Sequence, residues 1–485
     1  MQPPIQEHAI PGSSVPPHGW FYVWAIAVSV TLGGLLFGYD WVVIGGARQF
    51  YEIYFHLTSS AIIGWANSCA LVGCLMGSLA AGSLAERFGR RPLLLISAIL
   101  FGVSSLLTGW AHTLPSFVVW RIAGGLAIGL SSNVAPLYIA EISPASIRGR
   151  LVSLNQLAIV VGILLAQIVN WRIARPIPAG LTVSAALQSW NVQWGWRWMF
   201  FAVAVPAAVF MATSIVLPES PRWLLARNRG DKALSILKRI GGSAYAEAEI
   251  NSIEASLRLN SEEHSSWADL WRPEILRIVL IGIALAVLQQ WTGINTLFNY
   301  AAEVYRSAGY GANEIFLNIV ITGTINFIFT VIAMFLVDRL GRRKMMLIGC
   351  ASIGISHLLC AYAYHAGWPP PVVLTLTLCA IASYALTLAP VTWVLIAEIF
   401  PNRIRSHGIS AAVSALWIAC FLLTYTFPAL DSVLGTTGTF AVYGTICLLG
   451  FWLVLRYVEE TKGKTLEQIE SQIATGYRRR SSGEN

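Results

Sequence analysis

One acidic residue lies inside the first apolar stretch of the chain. Asp40 is the only acid in a run that begins near Phe21, and the run continues beyond it from Trp41 to Gly46. A carboxylate at membrane depth costs about 2.5–3.5 kcal/mol on insertion scales, so it is usually paired, protonated or functional. Asp40 could merely end a helix at the membrane surface, but the apolar residues that follow it argue against this. We therefore interpret it as a group that a proton can neutralise within the membrane.

Arg121 can supply the opposite charge. Asp40 lies about 18 residues into its span, or roughly 27 Å at 1.5 Å per residue. Arg121 lies a few residues into a span that enters from the other side, so both fall in the same half of the bilayer. The pair could couple a proton to a conformational change, or it could be a static ion pair that holds two helices together. We favour coupling.

Amide side chains form a second group within apolar spans. An amide donates and accepts hydrogen bonds at once, as vicinal hydroxyls require, and an aromatic ring can cover an apolar ligand face. Amides also join helices in membrane bundles. Three of them, however, share one broad side of a glycine-interrupted segment, which favours a ligand site. The five amides are Gln156, Gln289, Gln290, Asn295 and Asn326.

The composition indicates which elements position these residues. Of 485 residues, 56% are hydrophobic and 12% are charged, whereas soluble domains carry about 25% charged residues. The sequence therefore predicts an integral membrane protein. The net charge of +8 comes from Lys and Arg in short loops beside apolar spans, as the positive-inside rule explains, so we expect no nucleic-acid partner. We find no nucleophile–base pair, metal-ligand cluster or phosphate loop, and predict no enzyme, no metal and no cofactor.

Twelve segments are long enough to cross a bilayer, which takes about 20 residues each. They are 21–46, 60–84, 92–110, 115–139, 151–171, 197–217, 275–299, 314–337, 344–364, 372–397, 407–429 and 436–457. We predict an all-α membrane protein with a disordered tail (1–20), a six-helix half (21–217), a cytoplasmic helical linker (218–274), a second six-helix half (275–458) and a C-terminal tail (459–485). The basic loops place both termini in the cytoplasm.

An internal repeat relates the two halves. Glu141 to Arg148 recurs as Glu398 to Arg405, and Glu86 to Arg91 recurs as Asp338 to Arg343. Because each half has an even number of spans, the halves have the same orientation. Such halves rock about a site near the bilayer midplane in secondary transporters.

These residues resemble the sugar porters of the major facilitator superfamily from about residue 22 to residue 475, with similarity to bacterial xylose–proton symporters and features of glucose facilitators. The resemblance rests on the paired acid-Arg-x-Gly-Arg-Arg loops together with four further signatures. These are Pro136-x-Tyr138-x-x-Glu141-x-x-Pro144, Pro218-Glu219-Ser220-Pro221-Arg222-Trp223, Gln289-Gln290-x-x-Gly293-Ile294-Asn295 and Glu460-Thr461-Lys462-Gly463-Lys464.

The resemblance implies proton symport of a monosaccharide or polyol through alternating access, with Asp40 and Arg121 as the coupling pair. It implies sugar binding by Gln156, Gln289, Gln290, Asn295, Asn326 and Trp393, with Trp417 and Tyr384 as further candidates. It also implies gating salt bridges on the cytoplasmic side. Their residues would be Glu141, Arg148, Glu219, Arg222, Glu398, Arg405, Arg87, Arg90, Arg339 and Arg342.

Four positions depart from the pockets of these relatives. Ile163, Asn299, Ala385 and Cys420 stand where relatives carry other, mostly polar, side chains, so no single sugar is assigned. Two alternatives stay open: a passive uniporter, in which the Asp40–Arg121 pair is structural, and a sugar sensor that does not transport. The expected partners are the sugar, the proton and membrane lipid, for a protein that works as a monomer in the cell membrane.

Overall fold

The computed structural model describes residues 17–176, 183–262, 267–401 and 404–460. All regular secondary structure in these ranges is helical, which confirms the predicted class. The tail expected over 1–20 lies almost entirely outside the described residues, as do the last 25 residues of the chain. Helix α1 begins at Pro17, four residues before the predicted start of the first span.

The first half contains six spans. Five are single helices, and the sixth begins with one π-helical turn, Asn191–Gly195, and continues through two short helices. The helices of this half are α1 (Pro17–Tyr54), α2 (Ser60–Phe88), α3 (Arg90–Gly109), α4 (Leu114–Ile142), α5 (Arg148–Ile173), α6 (Val183–Gln188), α7 (Trp196–Phe201) and α8 (Ala204–Val216).

The linker is helical, as predicted for the polar interval. It contains α9 (Pro221–Ala226), α10 (Gly230–Glu262) and a 3-10 turn at Trp267–Trp271. Helix α10 is broken at Gly242, whose φ is 82°, so the linker consists of short helical pieces.

The second half repeats the pattern with more interruptions. Its helices are α11 (Pro273–Trp291), α12 (Ile294–Asn299), α13 (Ala301–Ser307), α14 (Ala312–Leu340), α15 (Arg342–His365), α16 (Pro370–Leu386), α17 (Leu388–Ile399) and α18 (Arg405–Tyr457). The seventh span is broken at Gly293, and the tenth is broken at Thr387 between α16 and α17.

The count of twelve spans depends on α18. Eleven helices among the described residues are long and apolar enough to cross a membrane, and the last of them, His407–Tyr457, has 51 residues. At 1.5 Å per residue this is about 77 Å, more than twice the thickness of a bilayer core. The helix breaks at Gly435, where φ is 64° and ψ is 173°, so it supplies two spans and the total is twelve.

The spans alternate in direction, which gives the molecule two ends. We call the end that carries the α2–α3 loop at Gly89 and the α14–α15 loop at Gly341 the basic face, because arginines cluster there. The end where α1 terminates at Tyr54 is the far face. The two halves meet between these faces along α1, α2 and α5 of the first half and α12, α14 and α18 of the second.

Candidate functional site

Asp40 and Arg121 form an ion pair in the interior of the first half. Arg121 Nη1 donates to Asp40 Oδ1 at 2.8 Å and to Oδ2 at 3.0 Å. The two residues are only 2% and 4% exposed, and the guanidinium also lies 5.3 Å from the centre of the Phe200 ring. The structure thus brings together the two residues that the sequence paired. In this state each charge is the main compensation for burying the other.

A small cavity with a mostly apolar lining adjoins Arg121 of this pair. It offers about 10 Å³ to the centre of a water molecule and is lined by Arg121, Asn67 and Asn299 among others, which is room for roughly one water. Arg121 Nε and Asn299 Oδ1 are buried there without a hydrogen-bond partner. Asn67 accepts a hydrogen bond from the Tyr51 hydroxyl at 2.9 Å. Sequence reasoning missed Asn67, although a lone amide in an apolar span was a visible signal.

The amides of the seventh span form a hydrogen-bonded chain. Gln289 Nε2 donates to the Tyr384 hydroxyl at 2.8 Å, and Gln290 Nε2 donates to Gln289 Oε1 at 2.5 Å. Asn295 donates in turn to Gln290 Oε1 and to Cys420 Sγ. The break at Gly293, where φ is 80°, places Asn295 back over the end of α11. Four predicted site residues therefore lie together, with donors and acceptors that a hydroxyl-rich ligand could exchange.

The other predicted binding residues make different contacts. Trp417 packs against Phe37 and Trp41 of α1, with ring centres 5.9 and 6.2 Å apart, so it joins the two halves. Trp393 is 39% exposed on α17. Among the described residues, Gln156, Asn326 and Trp393 make no hydrogen bond to the amide chain.

The four positions expected to differ from related sugar pockets, Ile163, Asn299, Ala385 and Cys420, are all buried. Ile163 and Ala385 present only hydrocarbon, and Cys420 presents a thiol, which is a weak acceptor for Asn295. Asn299 lines both the small cavity beside Arg121 and a larger cavity at the far face. The effect of these four positions on the choice of sugar stays a prediction.

Charges on the basic face pair within each half. Arg90 Nη2 lies 2.7 Å from Glu141 Oε1, and Arg342 Nη2 lies 3.3 Å from Glu398 Oε1. These two contacts are equivalent under the internal repeat. Arg339 also takes part in interactions on this face, while Arg87 lies over the ring of Phe88.

Two further carboxylates cap the helices that begin on this face. Glu219 accepts the backbone N–H of Arg90 at 2.9 Å, and Glu460 accepts that of Arg342 at 2.9 Å. Carboxylates at helix N-termini satisfy free N–H groups and the helix dipole. The preceding glycines, Gly89 and Gly341, have φ values of 98° and 88°, and a Cβ at either would collide with the capping carboxylate. Sequence reasoning treated Glu219 as a gating charge and gave Glu460 no role.

The remaining arginines of this group bond to nearby oxygens. Arg148 donates to the carbonyl of Ser143, Arg405 to the carbonyl of Phe400, and Arg222 to the hydroxyl of Ser256. These contacts orient the loops that carry the repeated motifs.

Comparisons with known proteins agree with this architecture. The chain is 36% identical over 481 residues to the D-xylose-proton symporter of Escherichia coli strain K12, covering 93% of this chain and 95% of that protein. It is 35% identical to the arabinose-proton symporter of Bacillus subtilis (93% and 95% covered) and 37% identical to a glucose transport protein of Synechocystis (92% and 97% covered).

Solved structures give the same result. The inward open conformation of the xylose transporter XylE from E. coli superimposes with a TM-score of 0.82 at 35% identity, covering 93% of this chain and all of that one. A partially occluded inward open form gives a TM-score of 0.80 at 34% identity, covering 92% of this chain. The fold of twelve spans in two halves is thereby confirmed. A family model described as "Sugar (and other) transporter" matches residues 26–472, and the chain therefore belongs to this family of multi-pass membrane transporters, which are not enzymes.

Proposed function

We propose that this protein imports a monosaccharide or a related polyol together with a proton, by alternating access between its two halves. The observation that carries the proposal is the Asp40–Arg121 pair, a carboxylate buried in a membrane span with one cationic partner. The printed names of two relatives, a xylose–proton and an arabinose–proton symporter, support the coupling ion. Passive uniport is the alternative, in which the pair is only structural.

Protonation of Asp40 is the switching step of the proposed cycle. A neutral carboxyl group loses most of its attraction for Arg121. The guanidinium can then separate from Asp40 when the helices rearrange. Sugar hydroxyls would replace the bonds that Gln289, Gln290 and Asn295 now make with one another. Because both the ligand-free and the ligand-bound amides are then hydrogen bonded, binding leaves few buried polar groups unsatisfied.

The basic face is proposed to be cytoplasmic, because arginines concentrate in the loops of that face. Both termini then lie in the cytoplasm and the far face lies outside the cell. The pairs Arg90–Glu141 and Arg342–Glu398 each lie within one half in this state, and we propose that charges of this face re-pair across the halves when the cytoplasmic end closes. The protein is proposed to act as a monomer in the cell membrane.

The substrate is proposed as a class and not as one sugar. Relatives named for xylose, arabinose and glucose transport stand at 35–37% identity. Buried Ile163 and Ala385 supply no polar group to the pocket, and a pocket that lacks a hydrogen bond discriminates differently among hydroxylated ligands. The proposal therefore assigns neither xylose nor glucose and includes smaller or differently substituted sugars and polyols.

The experiment that tests the coupling uses purified protein in proteoliposomes. A panel of labelled pentoses, hexoses and polyols identifies the substrate by counterflow, and an internal pH dye records proton movement during uptake. We expect the vesicle lumen to acidify with each substrate that enters. Asp40→Asn should abolish accumulation driven by a pH gradient and spare exchange. Uphill accumulation by this variant would contradict the proposal, and substrate uptake by the unmodified protein without acidification of the lumen would establish the uniporter.

A further inference from the structure

An ion pair joins the two halves at the far face. Arg48 near the end of α1 lies 2.6 Å from Glu303 Oε2 on α13, measured from Nη1. The guanidinium also lies 4.2 Å from the centre of the Tyr300 ring. One residue along α1, Gln49 accepts a hydrogen bond from Arg306 at 2.8 Å. The last turns of α1 are thus attached to α13 by an ion pair and a hydrogen bond, and to Tyr300, which precedes α13, by a cation–π contact.

Arg48 has a second carboxylate partner on its own helix. Its Nε lies 2.5 Å from Glu52 Oε1, four residues further along α1. This contact does not depend on the second half, so Arg48 keeps a partner wherever α13 moves. Removing the only partner of a buried charge is costly, whereas a charge that retains one counterion loses much less.

Glu303 is placed so that it can be released. Its side chain is 37% exposed and borders a cavity of about 580 Å³ that opens at the far face and is also lined by Arg48, Glu52 and Arg306. A carboxylate beside open space of this size can be hydrated when it leaves Arg48. The pair can therefore break without leaving either charge buried and uncompensated.

The backbone around Glu303 is suited to motion as a short unit. Helix α13 has seven residues and is separated from α12 at Tyr300, whose φ of −121° is not helical. On the other side of the contact, Gly45 of α1 approaches the carbonyl oxygen of Phe298 so closely that a Cβ there would lie 2.5 Å from it. The two halves thus touch through backbone just below the ion pair, and breaks in short helices are typical hinge positions.

We propose that Arg48 and Glu303 form the latch of the far-face gate: the pair is closed in the state described here and opens when the far face admits substrate, while Glu52 holds Arg48 in both states. The inference rests on the alternating-access function proposed above. Asp431, four residues before the break at Gly435 in α18, is a third carboxylate, and it is near enough to Glu303 and Arg48 to be influenced by both charges.

The test measures the gate directly. Spin labels on Thr58→Cys and Ser432→Cys, two exposed positions at the far ends of opposite halves, report the width of the gate by pulsed electron resonance. Cys379→Ser removes the one exposed native cysteine. The measurement uses full-length protein in lipid nanodiscs without sugar or pH gradient, and compares Glu303→Gln, Glu52→Gln and Glu303→Asp.

The two amide variants are matched and have opposite expected effects. Glu303→Gln removes the inter-half charge and should raise the ratio of wide to narrow distances by roughly fivefold, the scale of a partly exposed ion pair. Glu52→Gln leaves the latch but removes the partner that Arg48 needs when the gate opens, so it should lower that ratio. Glu303→Asp should restore much of the narrow population.

An unchanged distance distribution in Glu303→Gln, or shifts in the same direction for both amide variants, would overturn the latch. Since no transport is measured, the result is independent of the coupling experiment. A protein that gates in this way but moves no sugar would refute the proposed function and leave the latch standing.

Discussion

Removing Arg121 should destabilise the protein more than removing the pair. Both side chains are almost fully buried, and one guanidinium nitrogen contacts both carboxylate oxygens at 2.8 and 3.0 Å. Two unit charges about 4 Å apart attract by about 4 kcal/mol at an effective dielectric constant of 20. Deleting one partner of a buried pair typically costs about 3–5 kcal/mol, because the other charge stays buried and uncompensated.

We therefore expect Arg121→Leu to lower the free energy of unfolding by about 3–5 kcal/mol. Asp40→Asn combined with Arg121→Leu should recover most of this loss, since a neutral amide next to an apolar side chain leaves no buried charge. The coupling free energy from the double-mutant cycle isolates the interaction between the two side chains.

The assay is unfolding of the detergent-solubilised protein, followed by tryptophan fluorescence, for the unmodified chain, the two single variants and the double variant. Counterflow of labelled sugar by the same preparations checks that the double variant still folds and exchanges substrate. If Arg121→Leu alone proves as stable as the double variant, the unpaired Asp40 carboxylate is either protonated or reached by water. Such a result would refute the reasoning from burial.

Two further predictions concern the sugar site and the last pair of spans. Tyr384→Phe removes the hydroxyl that accepts a hydrogen bond from Gln289. Because a hydrogen bond contributes about 1 kcal/mol net, we expect the KM for sugar counterflow to rise by about five- to tenfold. The proton-to-sugar ratio should stay unchanged, and a changed ratio would assign Tyr384 to coupling instead. Gly435→Ala should lower the free energy of unfolding by about 1–2 kcal/mol because its positive φ is strained for any residue with a Cβ, although no atom lies within 4 Å of that Cβ. Gly82→Ala is the matched control, because a Cβ at Gly82 also has no atom within 4 Å but the residue is helical. This substitution should stabilise α2 by up to about 1 kcal/mol. Equal effects of the two substitutions would show that backbone strain at Gly435 is negligible.

Much of the architecture could be predicted from the sequence because the membrane imposes one-dimensional rules. Apolar length determines whether a segment spans, so the twelve spans and the helical linker are visible without coordinates. The helix bounds differ by several residues, since α1 extends from Pro17 to Tyr54 while the predicted span is 21–46. A helix such as α1 can extend beyond the part that crosses the lipid where neighbouring helices pack against its additional turns.

The site was predictable where chemistry is unusual for its surroundings. Asp40, Arg121, Gln289, Gln290 and Asn295 are polar groups in apolar spans, and the cost of burying them marks them as paired or functional. The structure joins Asp40 to Arg121 and links the three amides to one another. The roles of these residues in coupling and sugar binding stay predictions.

The sequence does not predict which side chains contact each other across neighbouring helices. Many membrane spans are apolar on almost every side, so their periodicity does not tell which face meets which neighbour. Arg48 and Glu303 lie 255 positions apart along the chain, and only the crossing of α1 with the broken seventh span brings them to 2.6 Å. Glu219 and Glu460 likewise cap helices that begin more than a hundred residues before them.

By itself, therefore, the sequence determined the membrane class, the number of spans, the internal repeat and the residues whose burial demands a partner. These features follow from local hydrophobicity and from the free-energy cost of burying an isolated charge, and both can be judged from residues that are neighbours along the chain. Only the tertiary structure decided which charges join the halves, which cap helices and which line a cavity. Those choices depend on how each helix is rotated and tilted against the next, and close packing between small residues fixes that geometry in three dimensions.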